Sequence, residues 1–188
     1  MRTLDELAAT VRSCTSCRLA QGRTQTVFGM GDPAADLVFV GEGPGAEEDR
    51  QGLPFVGRSG QLLDRLISEE LGVTRDALYI CNVTKCRPPN NRDPLPDEVE
   101  ACSPYLARQL ELIAPKVIVT LGNFATRFVL RTAEGITKLR GAVHERDGHL
   151  VVPTFHPSAA LRGGGAVVTA MRADLVRAKQ ALDAAASR

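Results

Sequence analysis

Asp36-Leu37-Val38-Phe39-Val40-Gly41, running on into Glu42-Gly43-Pro44-Gly45, is the stretch that decides the fold. A short, nearly continuous apolar run closed by glycine reads as a strand covered on both faces, as in a parallel sheet. Three more runs share the pattern: LYICNV over 78–83, KVIVTL over 116–121 and LVVPTF over 150–155. Helical patterns fill the gaps. Ser59 to Leu71 carries apolar Leu62, Leu63, Leu66, Ile67 and Leu71 and stops at Gly72. Asp97 to Ile113 starts behind Pro96 and ends before Pro115, Asn123 to Leu130 opens behind Leu121-Gly122, and Leu4 to Val11 and Val168 to Ala186 lie at the two ends. Strands alternating with helices predict an α/β fold, a three-layer α/β/α sandwich with a central four-stranded parallel sheet and right-handed crossovers. The whole span 1–188 reads as one domain, with Gly163-Gly164-Gly165 as a mobile loop inside it.

Composition narrows the class. A hydrophobic content of 44% beside 24% charged residues in 188 suits a soluble domain with a real core. The net charge of +1 gives no global pull toward nucleic acid, so any DNA-binding face must come from local segregation of charge. The opening Met1-Arg2-Thr3-Leu4-Asp5-Glu6-Leu7 lacks the apolar core of a signal peptide. Nowhere do about 18 apolar residues run together, which excludes a helical membrane span and leaves the cytoplasm as the expected location.

Four of the five cysteines are spaced like ligands of one metal centre. Cys14-Thr15-Ser16-Cys17 is a C-x-x-C pair, and Cys86 and Cys102 follow, flanked by Lys, Arg, Ser and Pro. Two thiolates three positions apart grip one centre from a turn, and two more complete a tetrahedral set for zinc or an iron–sulfur cluster; spacing leaves both open. Cys81 differs: it lies within Ala77-Leu78-Tyr79-Ile80-Cys81 and reads as a buried small hydrophobe. Ligand cysteines rather than disulfides also suit a reducing compartment.

In parallel α/β sheets, sites gather at the carboxyl ends of the strands. The polar, turn-forming clusters fall there: residues 41–45 behind the first strand, Asn82 through Asn91 behind the second, and His156-Pro157-Ser158 behind the fourth. Gly41 to Gly45 matches neither dinucleotide nor Walker spacing, and Pro44 removes an amide donor that a phosphate loop would use. A tight turn that lets a flat ligand approach the backbone is the better reading.

Taken in order, these segments resemble the uracil-DNA glycosylase superfamily, specifically its family-4, iron–sulfur branch. Gly41-Glu42-Gly43-Pro44-Gly45 resembles the family's first motif and Gly52-Leu53-Pro54-Phe55-Val56-Gly57 its base-stacking segment. Residues 82–92 (NVTKCRPPNNR) resemble its second block and His156-Pro157-Ser158 its third. The resemblance implies a 4Fe-4S cluster on Cys14, Cys17, Cys86 and Cys102, and removal of uracil from single- or double-stranded DNA by a monomer. It casts His156 as donor to uracil O2, Asn82 as reader of the O4 and N3–H edge, and Phe55 as the stacking ring. Glu42 and Asn91 become the candidates to position water or stabilise the sugar cation, with Asn90 one residue away. Gly43 stands where the most active superfamily members carry an aspartate. Glu48 is the candidate to crowd the 5-methyl of thymine, Leu161 and Arg162 to wedge into the base stack, and Lys85, Arg87 and Arg92 to meet phosphates.

The chain departs from the pattern at Ala159-Ala160 and the triple glycine, which replace bulkier residues. Two competing classes fare worse. A covalent trap for uracil-DNA needs an extra basic loop with a histidine, and none stands between Thr84 and Arg92. An electron carrier would leave His156, Asn82 and Phe55 without a task.

Overall fold

The computed structural model describes residues 3–187; Met1, Arg2 and Arg188, the ends of the span read above as one domain, lie outside the described residues. Among the described residues, six strands form one sheet: β1 (Met30–Gly31), β2 (Leu37–Gly41), β3 (Tyr79–Asn82), β4 (Val117–Leu121), β5 (His144–Arg146) and β6 (His149–Thr154). Their spatial order is β1-β3-β2-β4-β6-β5. The four expected strands are its parallel centre, β3-β2-β4-β6. The two edge strands are additions to the expected sheet, and both pair antiparallel. Each is too short or too polar for periodicity to reveal. β1 has two residues, and β5 reads His-Glu-Arg, closed onto β6 by Asp147-Gly148 with φ of 51° and 83°. Two left-handed residues are what a tight hairpin turn requires.

Among the described residues, eight α-helices accompany the sheet: α1 (Leu4–Arg12), α2 (Ala46–Gln51), α3 (Arg58–Leu71), α4 (Pro96–Ile113), α5 (Gly122–Leu130), α6 (Ile136–Leu139), α7 (Pro157–Gly163) and α8 (Gly165–Ala186). Local chemistry marks their ends. Thr3 caps α1 by accepting from the Glu6 amide at 3.2 Å. In α4, Pro96 opens the first turn and Glu98 Oε2 accepts from the Leu95 amide at 2.8 Å. Gly72, at φ 72°, ends α3. The triple glycine is not a loop: Gly163 ends α7, Gly165 begins α8, and Gly164 (φ 71°) is the one-residue corner between them. α2, α6 and α7 are additions to the expected helices, each too short to show a period.

The period-2 alternation of the strands builds the three layers. Leu37, Phe39, Ile80, Val117, Val119 and Val152 face the apolar stripes of α3 and α8. Val38, Val40, Tyr79, Cys81, Ile118 and Val151 face the other way, toward α4 and α5. Cys81 is 0% exposed in that second core. Among the described residues, no helix is long and apolar enough to cross a membrane.

Candidate active site

One large cleft opens across the carboxyl ends of β2, β3, β4 and β6, where the four parallel strands hand over to loops and helices. Each strand supplies a wall. Glu42, Gly43 and Glu48 come from behind β2, Asn82 and Asn91 from β3, Gly122 from β4, and His156 and Arg162 from β6, with Phe55 across the floor. The sequence expected three of these walls and missed the one behind β4. Gly122 takes φ 90°, and a Cβ there would stand 3.0 Å from His156 Cβ, so glycine lets the β4 and β6 walls approach.

Asn82 ends β3 at 2% exposure, and its Oδ1 has no hydrogen-bond partner among the described residues. A buried acceptor left unpaired costs free energy unless something else meets it. Oδ1 stands over Gly41: a Cβ on that glycine would collide with it and lie 2.6 Å from Cζ of Phe55. Phe55 is buried and holds φ 52°, a left-handed backbone that costs a non-glycine residue about 1–2 kcal/mol. Its ring centroid lies 5.7 Å from that of His156, tilted by 35°. Acceptor, ring and imidazole therefore converge on one recess.

His156 caps α7. Its Nδ1 accepts from the Ser158 amide at 3.1 Å and lies 2.8 Å from Ser158 Oγ. An Nδ1 that accepts carries no proton, so the neutral ring is an Nε2–H donor. Burial, with the Arg162 guanidinium second, pushes its pKa down to about 4 against an opposing pull from Glu48. The wall behind it is braced by a network that the sequence did not reveal. Buried Asp174 accepts from Thr154 Oγ1 at 2.8 Å and from Arg140 Nε and Nη2 at 3.0 Å each, and Arg140 lies over the Phe155 ring at 5.2 Å.

Opposite, burial and then the neighbouring Asp93 carboxyl raise Glu42 to about 7. Asp93 also lines the cleft, and nothing in the motif order singled it out. Asn90 and Asn91 are both left-handed, at φ 54° and 53°, which asparagine tolerates well; Asn91 lines the cleft, with Oδ1 accepting from Arg87 Nε at 2.7 Å. At Gly43 a Cβ would lie 2.5 Å from Thr84 Oγ1. Glu48 reaches back with Oε1 to accept from the Val56 and Gly57 amides at 3.0 Å each, so its carboxylate tethers the segment that carries Phe55. Leu161 is 46% exposed on α7 beside the cleft, and Arg162 is on the rim.

The expected phosphate contact at Lys85 is overturned. Lys85 is 1% exposed, and its ammonium donates inward to the Asn82 carbonyl at 2.6 Å. Arg92 is drawn into a fork on buried Glu98, at 2.6 and 2.8 Å. The basic residues that line the cleft are Arg58, Arg92, Arg127 and Arg162, of which Arg92 is already engaged by Glu98.

A second, small cavity is lined by Cys14, Cys17, Cys86 and Cys102, with Arg23, Lys85 and Tyr105. N–H donors point at the sulfurs: Arg23 Nη1 at Cys86 from 3.3 Å, the Lys85 amide at Cys102 from 3.2 Å and the Ser16 amide at Cys14 from 3.5 Å. Among the described residues, no three His, Cys, Asp or Glu side chains are drawn together closely enough to hold a single ion.

A parallel sheet with this cleft at its carboxyl edge, and the motif order that builds it, place the chain in the Uracil DNA glycosylase superfamily, whose family model matches residues 28–181. Within it the chain is similar to the Type-4 uracil-DNA glycosylase of Sulfurisphaera tokodaii, with 48% identity over 169 residues, covering 86% of this chain and 77% of the relative. It is 51% identical over 154 residues to the Type-4 uracil-DNA glycosylase of Thermotoga maritima, covering 81% and 80%. A Type-5 uracil-DNA glycosylase of Pyrobaculum aerophilum is more distant, at 32% over 163 residues, 78% of this chain and 72% of that one.

Proposed function

We propose that this chain is a DNA repair glycosylase of the type-4 kind, which hydrolyses the N-glycosidic bond of deoxyuridine, releases uracil and leaves an abasic site. The observation that carries the reading is the unpaired, buried Oδ1 of Asn82, set over Gly41 beside the Phe55 ring. An N3–H of a flipped uracil would satisfy it, while cytosine presents a bare acceptor at N3 and is refused.

As the C1′–N1 bond breaks, negative charge builds on the departing uracil and positive charge on the sugar. His156, with its proton on Nε2, donates to O2 where that charge develops. Asn82 holds the N3–H and O4 edge, and Phe55 stacks on the base. Gly43 supplies no carboxylate at its own position, so positioning of the attacking water falls to its neighbour Glu42 and to Asn91, the water's oxygen forming the new bond to C1′. Glu48 shapes the stacking segment from the cleft wall, where the 5-methyl of thymine would arrive. Leu161 fills the gap in the base stack, and Arg162, Arg58 and Arg127 face phosphates.

The cysteine cavity suits a 4Fe-4S cluster. Four thiols line one space, and amide and guanidinium donors suit thiolate charge. When bound, the cluster supplies a structural tie between α1 and the segment from Lys85 to Cys102. The same reading takes 1–188 as one domain, acting as a monomer in the cytoplasm. Incubation of the protein with an oligonucleotide holding one uracil, in EDTA, followed by alkali, tests the activity. Cleavage at the uracil is expected, and an intact strand, or cleavage only with added Mg²⁺, overturns the reading.

A further inference from the structure

We propose that Arg75, held by Asp64, is a positioning residue for base capture, because its guanidinium locks the turn that presents the Phe55 ring. The inference rests on the reading of Phe55 as the stacking surface. Arg75 lies in a short turn before β3, outside every motif of the sequence, and its side chain is 16% exposed. Its Nη1 donates to the Pro54 carbonyl at 3.2 Å and Nη2 to the Phe55 carbonyl at 2.9 Å. Nε donates to Asp64 Oδ1 at 2.8 Å, and Nη2 shares the same oxygen. Nη1 also lies 3.3 Å from Met30 Sδ. Every nitrogen of the fork is thus engaged inward, which removes Arg75 from the set of phosphate contacts.

What the fork holds is a strained residue. Phe55 stands at φ 52°, and the strain persists only if its surroundings over-determine it. They do so from two sides. Arg75 takes the carbonyls of residues 54 and 55, and Glu48 takes the amides of residues 56 and 57. Gly60 leaves the room, since a Cβ there would collide with the Phe55 carbonyl. Two adjacent carbonyls at fixed spacing match a planar fork and not a point ammonium, so lysine cannot replace arginine here. Releasing them lets residue 55 relax to an ordinary φ and swings the ring away from the recess it shares with His156.

The test is a cycle on the intact protein. Arg75→Ala, Arg75→Lys, Phe55→Ala and Arg75→Ala/Phe55→Ala are compared by single-turnover excision, inhibition by free uracil and thermal melting. Arg75→Ala should weaken uracil inhibition and slow excision about tenfold each, by the scale of a misplaced binding group. In the Phe55→Ala background the same change should cost less than about twofold, because the ring it positions is gone. Arg75→Lys should behave as Arg75→Ala does while melting near the wild type, which carries the test if Arg75→Ala does not fold. An equal loss in both backgrounds, or wild-type uracil inhibition in folded Arg75→Ala and Arg75→Lys, overturns the proposal. An inactive wild type instead overturns the proposed function, and an undiminished Phe55→Ala overturns the stacking role on which the inference rests.

Discussion

His156 Nδ1 accepts the Ser158 amide at 3.1 Å, and Ser158 Oγ lies 2.8 Å from the same nitrogen. One residue thus fixes both the tautomer and the tilt of the imidazole, through its backbone and its hydroxyl. His156→Ala should slow single-turnover excision on the order of 10²-fold, with DNA affinity nearly unchanged, since the donor proposed for it would act chiefly as the uracil anion forms. Ser158→Ala keeps the amide bond and should cost only about tenfold or less. Rapid-quench kinetics decide the matter, and a wild-type rate in His156→Ala puts the site elsewhere.

His156 and Glu42, which both line the cleft, are displaced in opposite senses. His156, near 4 in the fold against an ordinary 6.5, contributes stability that is present above 6.5 and lost as pH falls through 4. Glu42, near 7 against an ordinary 4.5, runs the other way: its contribution is present below 4.5 and lost as pH rises through 7. If ionised Glu42 positions the water, the excision rate rises with a midpoint near 7, and His156 adds no limb above its own pKa of about 4. Glu42→Gln should flatten that limb and melt higher than the wild type on the alkaline side alone. A pH–rate profile and melting curves at several pH values check both halves.

Gly41 carries the close approach of Asn82 and Phe55, so a single methyl there should act on chemistry more than on folding. Gly41→Ala should slow excision about 10²-fold, the usual consequence of a misplacement near one ångström, with a much smaller change in melting. Asn82→Ala removes the acceptor itself and should narrow the preference for uracil over cytosine. Paired uracil and cytosine oligonucleotides measure the ratio, and an unchanged ratio removes Asn82 from base reading.

Removal of any one of Cys14, Cys17, Cys86 and Cys102 should lower bound iron and bleach the brown visible absorbance expected of a thiolate-held cluster. Cys81→Ala, in the second core of the sheet, should leave iron per chain unchanged. Elemental analysis of the purified variants separates the two classes. Full iron in Cys102→Ala rules out the proposed ligand set.

The parallel centre of the sheet was legible because buried strands such as Leu37 to Val40 must be apolar on both faces, and α3 because Leu62, Leu63, Leu66 and Ile67 all pack inward. Edge strands carry no such obligation, and the His-Glu-Arg of β5 looks like any polar turn. The site was legible where a motif supplied the residue type, as at His156 and Asn82. It was illegible where distant chain segments meet: nothing near Arg75 announces Pro54 and Phe55, and nothing near Asp93 announces Glu42. Lys85 misled for the same reason. A basic residue beside a cysteine reads as surface until its ammonium is seen donating to the Asn82 carbonyl in the interior.

The strand order β3-β2-β4-β6 has a consequence for the order of folding. The cleft walls come from residues 41–48, 82–93, 121–128 and 155–162, and each strand pairing that aligns them closes a loop of about thirty residues or more. Non-local pairings of this kind form slowly and late. Until β6 docks on β4, His156 has no wall to stand in, however complete the remainder of the sheet. Regain of excision on refolding should therefore trail regain of helical signal, and a half-assembled chain has no complete cleft to receive a base.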